Sequence, residues 1–161
     1  MSTKPVVLLY DLDNVLVDEC SALIGQTGLY TTINTYNETN AIEVIKQYNR
    51  GFGLLTNRLS CVITGWNRYK KPRDQLLFSL RAQEKRSALR RATPVILIAE
   101  DHRYDLRELA LDPMQGYVSA YLHAEDFQVH ISDTLHKIVF GSRAHELNSV
   151  AYAKLQQERS E

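Results

Sequence analysis

The chain reads as one three-layer α/β domain built on a doubly wound parallel sheet, and three observations predict it. The runs VVLLY (Val6–Tyr10) and PVILIA (94–99) are uninterrupted apolar stretches, the pattern of strands covered by helices on both faces. Segments of helical period alternate with candidate strands along most of the sequence. Finally, 161 residues at 44% hydrophobic and 24% charged composition can bury one core, and no linker, repeat or low-complexity segment divides them.

Element by element, Val6–Tyr10 is the first strand. Residues 19–39 are rich in Thr, Asn, Gly and Tyr and hold no sustained period, which suits a flap or minimal cap over the strand's end. Asn40 then caps AIEVIKQYN, whose Ala41, Ile42, Ile45 and Tyr48 share a helical face. The stretch GFGLLTNRLSCVITGWN offers two strands, 52–55 and 60–63. The residues between them are too few for the crossover that adjacent parallel strands require. A long helix is expected over 72–91, with Pro72 near its start and Leu76, Leu77, Leu80 and Leu89 among its apolar positions. Residues 94–99 form the next buried strand and 105–111 a short helix. Asp112-Pro113 looks like the N-cap and first position of a helix over 113–123, carrying Met114, Tyr117, Tyr121 and Leu122. FQVHI (127–131) reads as the last strand, and 143–161 as a polar helical tail.

Formal charge is zero, from 19 basic and 19 acidic side chains, so no global field favours nucleic acid or membrane. The distribution is uneven: residues 68–91 hold nine Lys or Arg against Asp74 and Glu84, a local excess of seven. Cys20 and Cys61 are too few and too far apart for a disulfide scaffold or a zinc site. The N-terminal segment has only a five-residue apolar run, neither a signal peptide nor a membrane span, so a cytoplasmic protein is expected. His102, His123, His130, His136 and His145 show no two-histidine metal spacing and read as surface or strand residues.

The chemistry concentrates in YDLDNVL. A strand ending Asp11-Leu12-Asp13 puts both carboxylates on one side, because side chains alternate along an extended chain. Like charges that close repel and raise each other's pKa unless a cation sits between them. The plainer reading is a buried strand followed by a solvated Asp-rich turn.

An apolar strand ending DLDNVL resembles the first signature of the haloacid dehalogenase superfamily of phosphatases, a Rossmann-like fold. The resemblance implies that Asp11 is the nucleophile, that Asp13 is the general acid/base, and that Mg²⁺ neutralises both carboxylates and the phosphate. The family's second signature, a phosphate-binding Thr at a strand end, has two candidates. With Thr56 in GLLTNR, Lys71-Pro72 resembles the family's Lys-Pro, and Asp101 in EDHRYD falls in the acidic metal-binding signature. With Thr64 in CVITGWN, Asp133 in HISDTLHKIVF takes that metal role, and the segment resembles the phosphatase domains of RNA- and DNA-end-repair enzymes. The second arrangement is preferred because every parallel strand then receives its crossover. It departs from the family's pattern at Thr134, where a second Asp is usual. It departs again in lacking a Lys between Asp101 and Asp133, where Arg103 and Arg107 are the cations.

The resemblance therefore implies a Mg²⁺-dependent phosphomonoester hydrolase working through an aspartyl-phosphate, with Asp11, Asp13 and Asp133 (or Asp101) as metal ligands. Its implied substrate is a phosphorylated nucleotide or nucleic-acid end, for which Trp66 could offer a stacking face and residues 68–91 positive charge. The alternatives are a small-molecule (sugar or nucleotide) phosphatase and a catalytically weakened binding module on the same fold.

Overall fold

The computed structural model describes residues 4–49, 58–86 and 91–160. Its centre is a five-stranded parallel sheet in the order β2-β1-β3-β4-β5. The strands are β1 (Val6–Tyr10), β2 (Thr31–Thr35), β3 (Leu59–Gly65), β4 (Val95–Ala99) and β5 (Ala120–His123). Between and after them run α1 (Asn14–Gly25), α2 (Glu38–Asn49), a 3-10 turn at Pro72–Asp74, α3 (Leu76–Arg86), α4 (Tyr104–Leu111), α5 (Phe127–Val139) and α6 (Ala144–Ser160).

Alternation along each strand sends its side chains into two separate cores. Val7 and Leu9 of β1, Cys61 and Ile63 of β3, and Ile96 and Ile98 of β4 meet Val17, Cys20 and Ile24 of α1 and Phe127, Ile131, Leu135 and Ile138 of α5. The intervening Leu8, Val62, Val95 and Leu97 meet Ala41 and Ile45 of α2, Leu76, Leu77 and Leu80 of α3, Ala110 and Leu111 of α4, and Leu155 of α6. Every residue of β1 and β4 is buried, which is why both read as unbroken apolar runs. Each such side chain contributes about 1.5–3 kcal/mol by leaving water. A register shift between Val6 and Val7 makes room for Ser60 on β3.

The three-layer parallel architecture predicted from sequence is present, with the outer elements assigned differently. Residues 19–39 are no flap: they complete α1, whose Val17, Cys20 and Ile24 are buried at helical spacing, and then form edge strand β2. The helix expected over 113–123 is instead a turn leading into β5, with Gly116 N–H bonded to Leu109 O and Val118 N–H to Ala110 O. FQVHI is the first turn of α5, not a strand. Its apolar residues continue as Phe127, Ile131, Leu135 and Ile138, a helical spacing that five residues alone conceal. The long helix over 72–91 divides into the 3-10 turn and α3, and its Leu89 lies outside the described residues. The strand candidate at 52–55 also lies outside them.

Val129 separates the helical and strand readings of this segment. In a strand it would face inward with Phe127 and Ile131, whereas on α5 it is 77% exposed and Ile131 is fully buried. Ile131→Ala should therefore cost about 2–5 kcal/mol in denaturant unfolding, and Val129→Ala no more than about 0.5 kcal/mol.

Candidate functional site at the carboxyl edge of the sheet

Asp11 is the first residue beyond β1, and alternation with Val7 and Leu9 directs its side chain to the face covered by α1 and α5. Its Oδ1 accepts the Asp13 N–H at 2.9 Å. Asp13 is the N-cap of α1: in an extended conformation (φ −87°, ψ 104°), its Oδ1 accepts the N–H of Val15 at 2.9 Å and of Leu16 at 3.4 Å. The two acids thus stand one residue apart partly because a strand-to-helix turn needs both as acceptors. The Leu12 N–H also donates to the Asp11 carboxylate, and Asp13 Oδ2 has no hydrogen bond among the described residues.

Gly65 explains where Asp11 goes. The register pairs Tyr10 with Thr64, so Asp11 lies level with Gly65 at the end of β3. A Cβ on Gly65 would stand 1.9 Å from Asp11 Oδ2 and 2.8 Å from its Cγ. The carboxylate occupies the volume a β3 side chain would need. Burial raises the Asp11 pKa above its ordinary 3.8, and the charges of Asp13 and Glu100 push the same way, against N–H donation from Asp13 and Leu12.

The loop after β3 closes over this edge. Gln75, 5% exposed, accepts the Asn67 N–H through Oε1 at 2.8 Å and donates from Nε2 to the carbonyls of Asn67 and Lys70 at 2.7 and 3.1 Å. Arg68 pairs with Glu100 beyond β4 at 2.7 Å, and Lys70 with Glu38 at the start of α2. Trp66 stacks on Phe78 at 6.5 Å between ring centroids, so one of its faces is already covered. At the far side of the edge, the His102 ring stacks on His123 at 3.5 Å, and the Tyr121 hydroxyl donates to the Asp101 carbonyl at 2.5 Å. Burial and the neighbouring His123 lower the His102 pKa.

Of the acids and phosphate-binding residues expected from sequence, the fold gathers Asp11 and Asp13. Thr64 is buried, one residue from Gly65, and alternation sends its hydroxyl to the opposite face of the sheet from Asp11. Asp133 sits on the exposed side of α5, where Lys137 at 2.9 Å holds its carboxyl below the usual range. It cannot end a strand, because no strand is there. Asp101 is at the right edge, but both its oxygens are engaged by Arg103, one by the backbone N–H and one by Nε, each at 3.0 Å. Lys71 is exposed just before Pro72, and Thr56 lies outside the described residues. The basic block splits. Arg68 and Lys70 pair at this edge, Arg73 reaches Gln115 in the turn before β5, and Arg81 is buried against Glu84 and the carbonyls of Gly116, Tyr117 and Thr93 near the opposite edge. Glu100, the first acid of EDHRYD, stands one step beyond β4, as an acidic signature at a strand end requires, while Gly65 is missed from sequence, and only its place at the end of β3 could have marked it. Among the described residues, no group of three or more His, Cys, Asp or Glu side chains is arranged to hold a metal ion.

No family model matches this chain, and no curated protein does. Solved structures do. The signal receiver domain of an HD domain-containing protein from Pseudomonas fluorescens aligns at TM-score 0.64 and 18% identity, over 89% of this chain and 99% of that one. A response regulator receiver protein from Pseudomonas putida aligns at 0.62 and 17%, over 85% and 99%. The RcsB response regulator of Salmonella typhimurium aligns at 0.67 and 11%, over 96% and 69%. This likeness shows a flavodoxin-like fold, the doubly wound order 2-1-3-4-5.

The resemblance to haloacid dehalogenase phosphatases is thereby overturned. The neighbours are receiver domains, and the segment that carried the later signature is a helix. The Mg²⁺-dependent phosphomonoesterase, its small-molecule alternative and the weakened module on that fold fall with it. So does a phosphorylated nucleotide or nucleic-acid end as substrate. On localisation, no helix among the described residues is long and apolar enough to cross a membrane.

Two outcomes follow from the Asp11–Gly65 contact. Gly65→Ala should cost about 1–3 kcal/mol in wild type and much less in an Asp11→Ala background, a coupling that a double-mutant cycle reads directly. Because the folded state holds the Asp11 proton more tightly than the unfolded chain does, its contribution to stability is lost as pH rises from 3.8 towards neutrality. Asp11→Asn should therefore melt a few degrees above wild type at neutral pH, with the difference vanishing in acid.

Proposed function

We propose that this chain is a receiver-type regulatory domain that accepts a phosphoryl group at Asp11 and reports it by a conformational change, without turning over a substrate. The observation that carries this reading is a half-buried carboxylate of raised pKa at the carboxyl end of β1, at the switch point of a 2-1-3-4-5 sheet. Ligands of open α/β sheets bind at that point. The donor would be a phosphorylated signalling protein of the two-component kind, the setting named for one of the similar receiver domains. An Asp11 carboxylate oxygen would attack phosphorus as the donor's bond to it breaks, and the donor's leaving atom would keep the electron pair.

The neighbouring carboxylates of Asp11 and Asp13 suit Mg²⁺, which takes one or two carboxylates and keeps several waters. Bound there, the ion would offset the charge of both carboxylates and of the phosphoryl oxygens. The chain's own contribution is to hold Asp13 rigidly through the helix cap and to seat Asp11 against Gly65.

A second reading is favoured by Gly65 itself. The end of β3 offers no carboxylate, and no described cluster of three ligands completes the site, so the domain could instead signal through protein contacts without being phosphorylated. Incubation with acetyl phosphate and Mg²⁺ separates the two. The first reading expects a hydroxylamine-labile gain of one phosphoryl by intact mass, absent in Asp11→Asn, together with a Mg²⁺-dependent change in emission from Trp66, the single tryptophan. No adduct and no emission change would reject it and leave the second.

A further inference from the structure

The β–α alternation of the sheet is complete at α5, and α6 is additional to it. This helix packs across α4, α5 and β5. Its two halves are attached very differently. At the amino-terminal end, Asn148 is wholly buried and its Nδ2 donates to the carbonyls of Leu111 at 2.8 Å and Val118 at 2.7 Å. Ser119 Oγ donates to Ala144 O at 2.9 Å, and the Tyr117 hydroxyl meets His145 Nδ1 at 2.6 Å. Beyond Asn148 a single side chain of the helix, Leu155, is buried. The last polar tie is the pair Arg107–Glu158 at 2.8 Å, with Glu158 half exposed. Surface pairs of that kind hold weakly.

Arg107 has a second partner. Its Nε donates to the His102 carbonyl at 2.8 Å while Nη1 holds Glu158. His102 belongs to the short loop 100–103, whose other end carries Glu100, the acid that pairs with Arg68; this loop leaves β4 just after Ile98, whose carbonyl lies with the Asp11 carboxylate against Gly65. One guanidinium therefore touches both the loop beside the acidic site and the loosely held end of α6.

We propose that the carboxyl-terminal half of α6, residues 152–160, is a releasable strap over α4, and that Arg107 ties its docking to the position of loop 100–103. The proposal rests on the receiver-type reading for its purpose: a change at Asp11 displaces the loop, Arg107 follows its His102 contact, and the strap lifts to uncover the α4 face. The amino-terminal half stays in place on its buried bonds, so the strap remains tethered.

Hydrogen exchange followed by mass spectrometry on the full chain tests this without any phosphoryl donor. Arg107→Gln and Glu158→Gln should each speed exchange in 152–160, by up to about fivefold, and leave 144–150 unchanged. If Arg107→Gln weakens the whole fold, the exposed Glu158→Gln alone carries this arm. Acceleration of all of α6 together, or no change in 152–160, would overturn the strap. For the coupling, Asp11→Asn should alter exchange in 152–160 in the wild-type background and not in Arg107→Gln. Equal shifts in both backgrounds, or none in either, would remove Arg107 from the route. The acetyl phosphate result bears on the receiver reading alone, so the two can fail separately.

Discussion

Parallel pairing is the constraint from which the rest of this molecule follows. A parallel strand needs a crossover to its neighbour, and the crossovers lay helices on both faces, so β1 and β4 have no side exposed to water. Their side chains must then be apolar at every position, which removes the strands as places where polar chemistry can reside. What remains is the rim. At the carboxyl edge each strand releases the chain into a loop, and the first residue past the apolar run is the first that can carry a charge. Asp11 after β1 and Glu100 after β4 are those residues.

The site at that rim is economical in an unusual direction: one strand gives up its side chain so that its neighbour's can be seated. Gly65 provides the absence and Asp11 fills it. The raised pKa is a consequence of the seating, because a carboxylate enclosed on the sheet face loses water that two backbone N–H groups only partly replace. Asp13 has an ordinary structural reason to exist as an N-cap, and its charge near Asp11 is a by-product of the turn.

The sequence reveals the interior of this fold better than its periphery. The unbroken apolar runs at Val6–Tyr10 and 94–99 could only be doubly covered strands, and both are. Edge strand β2 is TTINT, half-exposed and polar, so hydrophobicity does not announce it; its Thr residues and Ile33 do so only through β-propensity. FQVHI, the first turn of α5, carries the pattern of a strand because its apolar residues fall at positions one, three and five. The decisive residues, Leu135 and Ile138, lie further along. The DLDN segment was legible as an acidic site but not as a family, since an Asx-type turn into a helix cap generates the same spacing that a phosphatase signature would. Gly65 was invisible in sequence because its importance is a distance to another residue's oxygen.

Gln75 closes the 67–75 loop entirely through backbone partners: the Asn67 N–H and the carbonyls of Asn67 and Lys70. None of these bonds depends on which side chains occupy positions 68 to 71. Arg68, Tyr69, Lys70 and Lys71 are all exposed, and exchanging any of them leaves the Gln75 bonds in place, although Arg68 and Lys70 also pair with Glu100 and Glu38. Such a loop is a surface on which related chains can diverge in what they recognise at no expense to the scaffold. Drift in partner preference would be recorded there first, with position 75 held still.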